Sequence, residues 1–291
     1  MLLDEEWGNL NKVKIGGRNV FPIGLGTWNM GDTANKYEQE VEAIRTGLNL
    51  GVQVIDTAEM YGDGNAERLV AHAIKPYNRE ELFLISKVLP SNASKKQIPI
   101  SLDKSLKRLN TDYLDLYLLH WKGNIPIEET VEALEKVKSQ GKIKSWGVSN
   151  LDVDDLEKIM KLPDGIHCAS NQVRYNLGDR GIEFDLVPMM NKFWMPLIAY
   201  APVARGDSLG TNLTKQKGIK EIAEKHHSDT FQILLTWCIR NGQTIAIPQS
   251  SNPAHVINNV KAAEIQLTQE DLEKLDSIYP KPSMKQPLAL W

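Results

Sequence analysis

Leu82-Phe83-Leu84-Ile85-Ser86-Lys87-Val88 and Leu114-Asp115-Leu116-Tyr117-Leu118-Leu119 flank a segment, 94–109, whose apolar residues recur three or four apart on a basic outer face. Short, nearly continuous apolar runs suit strands buried on both faces, and a helix between them suits a parallel crossover. The same unit extends outward in both directions. Further strand-like runs fall at 21–26, 52–55, 143–148, 168–173, 196–200 and 244–247. Helical patterns fall at 37–50, 127–140, 152–160, 228–240 and 253–263. Gly51 and Gly141 stand where C-terminal caps belong, and Asp152 stands where an N-cap belongs. About eight strands alternating with about eight helices predict an α/β fold, a closed (β/α)8 TIM barrel. The runner-up is an open doubly wound sheet, which should open on a glycine-rich dinucleotide fingerprint. Gly24-Leu25-Gly26 begins such a motif, but position 29 is Asn29 and no helix starts there. Ahead of the barrel, 13–20 carries Gly16-Gly17-Arg18-Asn19, a hairpin turn. The stretch 280–291 holds three prolines and reads as an irregular arm over the barrel. No linker divides the chain, so one domain over 1–291 is expected.

Composition narrows the function classes. The 291 residues are 42% hydrophobic and 24% charged, which excludes disorder, collagen and coiled coil as the main architecture. Lys and Arg number 34 against 37 Asp and Glu, a formal charge of −3, so no global field favours nucleic acid or an anionic membrane. No apolar run reaches the roughly 18 residues of a membrane span. Met1–Trp7 is acidic where a secretory leader would be basic. Cys168 and Cys238 make no disulfide framework. A cytoplasmic protein is expected, a monomer by default with a weak dimer allowed.

Barrel enzymes gather their chemistry at the C-terminal strand ends. Here those ends read Ile55-Asp56-Thr57-Ala58-Glu59-Met60-Tyr61-Gly62, Ser86-Lys87 and Leu119-His120-Trp121. Each group alone has an ordinary reading: Asp56 as a turn cap, Lys87 as a rim charge, His120 as a satisfied core histidine, Tyr61 as packing. Their coincidence at one end of three consecutive strands favours a site. A phenol titrates near ~10, and a neighbouring ammonium favours the phenolate. Lys87 is therefore expected to lower the Tyr61 pKa, Asp56 to hold Lys87, and His120 to orient a carbonyl or bond the phenol. The set makes a general acid for a substrate oxygen.

With Gly24-Leu25-Gly26-Thr27-Trp28, Gly147-Val148-Ser149-Asn150, Asn171-Gln172-Val173, Tyr200-Ala201-Pro202 and Ile247-Pro248, these segments resemble the aldo-keto reductases along nearly the whole chain. The likeness is nearest to bacterial members that reduce small aldehydes and methylglyoxal. It implies a (β/α)8 barrel and hydride transfer from a nicotinamide to a carbonyl. It also implies Tyr61 as proton donor, with Asp56, Lys87 and His120 completing a tetrad.

The resemblance assigns the cofactor residues too. Ser149, Asn150 and Gln172 match the positions that hold the nicotinamide carboxamide, and their side chains both donate and accept. Tyr200 matches the ring that stacks on it. Gly26, Thr27 and Trp28 match the first strand's end. Ala201, Pro202, Val203, Ala204 and Gly206 match the stretch passing the pyrophosphate, with Arg205 beside it. Pro248, Gln249, Ser250, His255, Asn258 and Asn259 match the adenosine end. There the chain departs from the NADP-specific pattern. Gln249 replaces Lys and His255 replaces Arg, while Ser250 and Asn259 match. NADP(H) is the first expectation, with NAD(H) or dual use open.

Trp28, Met30 and Trp121 match positions lining the carbonyl pocket, with Trp291 nearby, and aromatic walls suit apolar or flat aldehydes. Lys122 and Asn124, in a short loop, would favour polar or anionic substrates, or serve only as loop residues. The histidines show no metal-ligand spacing, so no metal is expected. Two other functions are weighed: a non-redox barrel enzyme using Lys87 as a Schiff base, and a nucleotide-sensing regulatory subunit with slow turnover. The Schiff-base reading leaves Ser149, Asn150 and Gln172 without a role.

Overall fold

The computed structural model describes residues 12–206 and 211–290. A hairpin comes first: β1 (Val13–Ile15) and β2 (Arg18–Val20) pair antiparallel around Gly16 and Gly17, both at positive φ. Then follow β3 (Leu25–Gly26), α1 (Tyr37–Asn49), β4 (Val54–Asp56), α2 (Asn65–Ile74), β5 (Phe83–Val88) and α3 (Gln97–Leu109). Next come β6 (Leu114–Leu119), α4 (Ile127–Ser139), β7 (Ile143–Ser149), α5 (Val153–Met160), β8 (Cys168–Arg174) and α6 (Leu186–Lys192). The described chain finishes with β9 (Leu197–Tyr200), α7 (Lys217–Lys225), α8 (Thr230–Ile239), β10 (Thr244–Ala246), α9 (Pro253–Lys261) and α10 (Gln269–Ile278). Strands β3 to β10 lie parallel and in sequence order. The ends join: Gly24 N donates to Ala246 O at 2.7 Å, Ala246 N to Pro22 O at 2.9 Å and Gly26 N to Pro248 O at 3.1 Å. The expected (β/α)8 barrel is the fold.

Alternation along each strand sorts the core into two layers. Inward side chains Val54, Phe83, Ile85, Leu116, Leu118, Ile198 and Ile245 fill the barrel. Val13, Ile15 and Val20 of the hairpin join that cluster and plug its N-terminal end. Outward residues such as Leu84, Tyr117 and Trp146 pack under the helices. The next inward positions after Val54, Ile85 and Leu118 are Asp56, Lys87 and His120. Period-two geometry therefore brings all three to the C-terminal mouth.

Strict alternation is corrected at the end of the chain. Both α7 and α8 lie between β9 and β10, and α10 follows α9. Four helices were not read from sequence: α2, α6, α7 and α10. Buried apolar residues are few on α7 (Ile219, Ile222 and Ala223) and α10 (Leu275), and α6 is a seven-residue helix around Pro188, whereas α2 buries Ala66, Leu69, Val70, Ala73 and Ile74, an apolar face that the sequence does show. The helix read from 228 begins after Asp229, whose carboxylate caps Gln232 N in a capping box. The expected arm is present. Lys285 ties it to Asp152 (3.2 Å) and Asp185 (3.0 Å), and Arg174 Nη1 donates to Leu290 O at 3.3 Å. Among the described residues no helix is long and apolar enough to cross a membrane.

Candidate active site

A cavity of about 1090 Å³ opens over the C-terminal strand ends. Asp56, Tyr61, His120 and Trp121 line one part of it. Lys87 stands behind Tyr61 and is fully buried. Its Nζ donates to Asp56 Oδ2 at 2.7 Å, to Thr57 O at 2.9 Å and to the Tyr61 hydroxyl at 3.1 Å. Three acceptors saturate the ammonium, which has three protons to give.

Burial alone would lower the Lys87 pKa, but the attraction of Asp56 and Tyr61 overcomes it and the net shift is upward. Tyr61 is corrected in direction. Burial raises its pKa, Lys87 opposes that rise, and Asp56 adds to it, so the phenol keeps its proton above the ordinary range. His120 is pushed down to about 3 by burial and by the Lys87 charge, so the imidazole is neutral near pH 7. Its ring meets Tyr61 edge-on at 5.8 Å, and its Nδ1 is buried without a hydrogen-bond partner. The mouth thus holds a neutral phenol, a fixed ammonium and a neutral imidazole.

The polar groups at the ends of β7, β8 and β9 form one connected set. Gln172 Nε2 donates to Asp56 Oδ1 at 2.7 Å, and Ser149 Oγ to Gln172 O at 2.8 Å. Asn150, at φ 59°, donates to His120 O (3.1 Å) and accepts from the Tyr200 hydroxyl at 2.9 Å. Gly26 sits where an added Cβ would stand 2.8 Å from Ile247 O, so only glycine lets β3 close on the last strand.

Most expected residues border this one cavity. Gly26, Thr27 and Trp28 do so, as do Ser149, Asn150, Gln172, Tyr200, Ala201, Pro202, Val203 and Gly206. Pro248, Gln249, Ser250, His255, Asn258 and Asn259 border it too. Two placements are corrected. Met30 is only 2% exposed and packs in the core, because its N–H turns back to Thr27 O at 3.0 Å. Ala204 is fully buried beneath the turn that carries Arg205. Trp291 lies outside the described residues. Sequence reasoning missed Met60, Asn29, Asp229, Phe231, Ile247 and Leu290, which also line the cavity. Arg205 lies over the Trp28 ring at 4.4 Å, a cation–π contact between segments far apart in sequence. Lys122, on the rim, is paired with Asp155 at 2.6 Å.

Elsewhere, burial raises both cysteines to about 12, so neither is a reactive thiolate. Glu135, Asp164 and His167 come together away from the cavity. Glu135 Oε1 there already accepts from Trp146, Lys138 and His167.

Comparison with known proteins agrees with this geometry. The model of the Aldo/keto reductase family matches residues 22–280. A methylglyoxal reductase of Escherichia coli is 47% identical over 268 residues, covering 92% of this chain and 94% of that protein. A glyoxal reductase of Bacillus subtilis is 34% identical, covering 82% of this chain and 83% of that protein. The crystal structure of an aldo/keto reductase from Klebsiella pneumoniae in complex with NADP and acetate superposes with a TM-score of 0.95 at 45% identity. It covers 97% of this chain and 100% of that one. By fold, by the arrangement at the strand ends and by sequence, the chain belongs to the aldo/keto reductase family.

Proposed function

We propose that the protein is an NADP(H)-dependent reductase of small aldehydes and ketones, methylglyoxal-like dicarbonyls among them. The observation that carries this reading is the Tyr61 hydroxyl, held 3.1 Å from a buried ammonium and facing the cavity. The donor set suits a nicotinamide nucleotide. Ser149, Asn150 and Gln172 offer amide and hydroxyl groups to a carboxamide, and the Tyr200 ring lines the same wall. Ser250, His255 and Asn259 border the cavity where the adenosine end would lie. The related Klebsiella protein, crystallised with NADP, supports the choice of NADP(H) over NAD(H).

When bound, the reduced nicotinamide supplies a hydride to the carbonyl carbon. This chain's part is the proton and its placement. Tyr61 donates its phenolic proton to the carbonyl oxygen as charge builds there. Lys87 then faces a phenolate, which its ammonium stabilises at 3.1 Å. Asp56 and Thr57 O keep that ammonium charged and fixed. His120, being neutral, can hydrogen-bond the substrate oxygen without competing as an acid. Trp28, Trp121 and Met60 give the carbonyl compound an apolar wall.

The same charge state argues against Lys87 as a Schiff-base nucleophile, which would have to be neutral. A sensor role leaves the saturated Tyr61–Lys87–Asp56 chain unexplained. A monomer is the working state we propose, since Asp56, Tyr61, Lys87 and His120 meet within one barrel. Two free buried cysteines suit a reducing compartment such as the cytoplasm. The test is to mix the protein with NADPH and methylglyoxal and follow the reduced-nicotinamide absorbance. Steady consumption of NADPH supports the reading. Binding of NADPH without consumption across a panel of small aldehydes overturns it in favour of the sensor.

A further inference from the structure

Three successive residues after Tyr61 have left-handed backbone: Gly62 (φ 55°), Asp63 (φ 51°) and Gly64 (φ 83°). Asp63 is not glycine, so this turn stores strain that surrounding structure must hold. Two carboxylates bracket it. Glu59, two residues before Tyr61, accepts through Oε1 from Leu89 N at 2.7 Å and Asn92 Nδ2 at 3.0 Å. Its Oε2 accepts from Ser101 Oγ. Leu89 lies two residues beyond Lys87, so Glu59 links the Tyr61 segment directly to the Lys87 strand. Glu67, on α2 just after the turn, is fully buried. It accepts from Ser86 Oγ at 2.7 Å, next to Lys87, and from Arg108 Nε.

The other half of this arrangement is one face of α3. Ser101, Ser105 and Arg108 are spaced four and three apart and therefore share that face. Arg108 Nη2 donates to Ser105 Oγ at 3.1 Å, and its side chain packs so close to Gly64 that an added Cβ would stand 2.4 Å from Arg108 Cδ. An apolar face would pack the helix without desolvating carboxylates, which costs stability. The polar face instead reaches both sides of the strained turn.

We propose that Glu59 and Glu67, held by the polar face of α3, are positioning residues that set the distance between the Tyr61 hydroxyl and Lys87. The proposal rests on the reductase reading. Neither carboxylate lines the cavity, so neither touches substrate or nucleotide. They act by fixing the turn on one side and the end of β5 on the other.

The test compares Glu59→Ala with Glu59→Gln, using NADPH and methylglyoxal. The amide oxygen of Gln still accepts from Leu89 N and Asn92, and its NH2 can donate to Ser101. Displacement of reacting groups by about 1 Å can cost up to about a hundredfold, so Glu59→Ala should lower kcat by about tenfold or more. KM and the NADPH Kd, the latter followed by tryptophan fluorescence, should stay near wild type. Glu59→Gln should restore most of kcat. Wild-type kcat in Glu59→Ala overturns the proposal. So does a Gln variant as slow as the Ala variant, which would make the charge, not the placement, the cause. If Glu59→Ala does not fold, Ser101→Ala removes one of its three donors and should lower kcat alone by a smaller factor. An unchanged kcat there overturns the proposal equally. A wild-type protein that binds NADPH yet turns nothing over defeats the reductase reading itself, and the positioning role with it.

Discussion

Gln172 Nε2 donates to Asp56 Oδ1 at 2.7 Å, so the residue proposed to meet the nicotinamide carboxamide also holds the carboxylate that fixes Lys87. Under the proposed function, nucleotide binding and proton delivery share one buried side chain. Gln172→Leu leaves Asp56 short of a donor, and an unmade buried hydrogen bond costs roughly 1–3 kcal/mol. The variant should weaken NADPH binding and lower kcat together, each by about tenfold. Fluorescence titration and steady-state kinetics read the two effects separately. Loss of binding with kcat intact would show that the bond to Asp56 has no bearing on catalysis.

Tyr61→Phe keeps the ring and removes the proton. Loss of a positioned general acid typically costs about 10²–10⁴-fold, and kcat should fall within that range. NADPH affinity should hardly move, because the wall of the cavity is unchanged. A Phe variant with wild-type turnover would remove Tyr61 from the mechanism.

The raised Tyr61 pKa gives opposite pH profiles in the two directions. Carbonyl reduction needs the phenol, and burial keeps it protonated beyond its ordinary value near 10. Reduction should therefore show no alkaline loss from Tyr61 between about pH 7 and 9.5. Alcohol oxidation needs the phenolate and should rise with pH across the same interval. A reduction rate that falls around pH 8 would mean that Lys87, not burial, dominates the phenol.

His120 predicts an acid-side stability loss. Its folded pKa is about 3, against about 6.5 for an unfolded imidazole. The unfolded chain binds the extra proton, so the contribution is full above about pH 6.5 and declines toward pH 3 at up to about 1.4 kcal/mol per unit. His120→Asn should flatten the dependence of Tm on pH between about 4.5 and 6.5. An unaltered slope would place that titration elsewhere.

Gln249 and His255 border the cavity at the end assigned to the adenosine, and both are exposed. Gln249→Lys with His255→Arg adds charge and bidentate donors suited to a phosphate. The double variant should tighten NADPH more than NADH, measured by fluorescence titration of each. Equal tightening of both nucleotides would move the phosphate subsite away from these residues.

The barrel was legible because β5 and β6 are nearly continuous apolar runs on either side of a helical pattern, and the pleat of each strand points Lys87 and His120 into the mouth. Tyr61 lies beyond its strand and was found through the segment it closes. Met30 was misplaced because Asn29, at φ 62°, reverses the chain and turns Met30 inward, which residue spacing does not show. Phe231 and Asp229 were missed because they reach the cavity from the start of α8, far along the chain from the strand ends. The direction of the Tyr61 shift was misjudged for a similar reason. A neighbouring ammonium can be read from sequence, whereas the depth of burial that outweighs it cannot.

Among the described residues, Val13, Ile15 and Val20 of the hairpin stopper one end of the barrel, and the cavity beside Asp56, Tyr61 and His120 opens at the other. If the nucleotide and the carbonyl compound share that opening, their traffic becomes a queue. The guest seated deeper enters first and leaves last, because the packed side chains beneath the cavity offer no second way out.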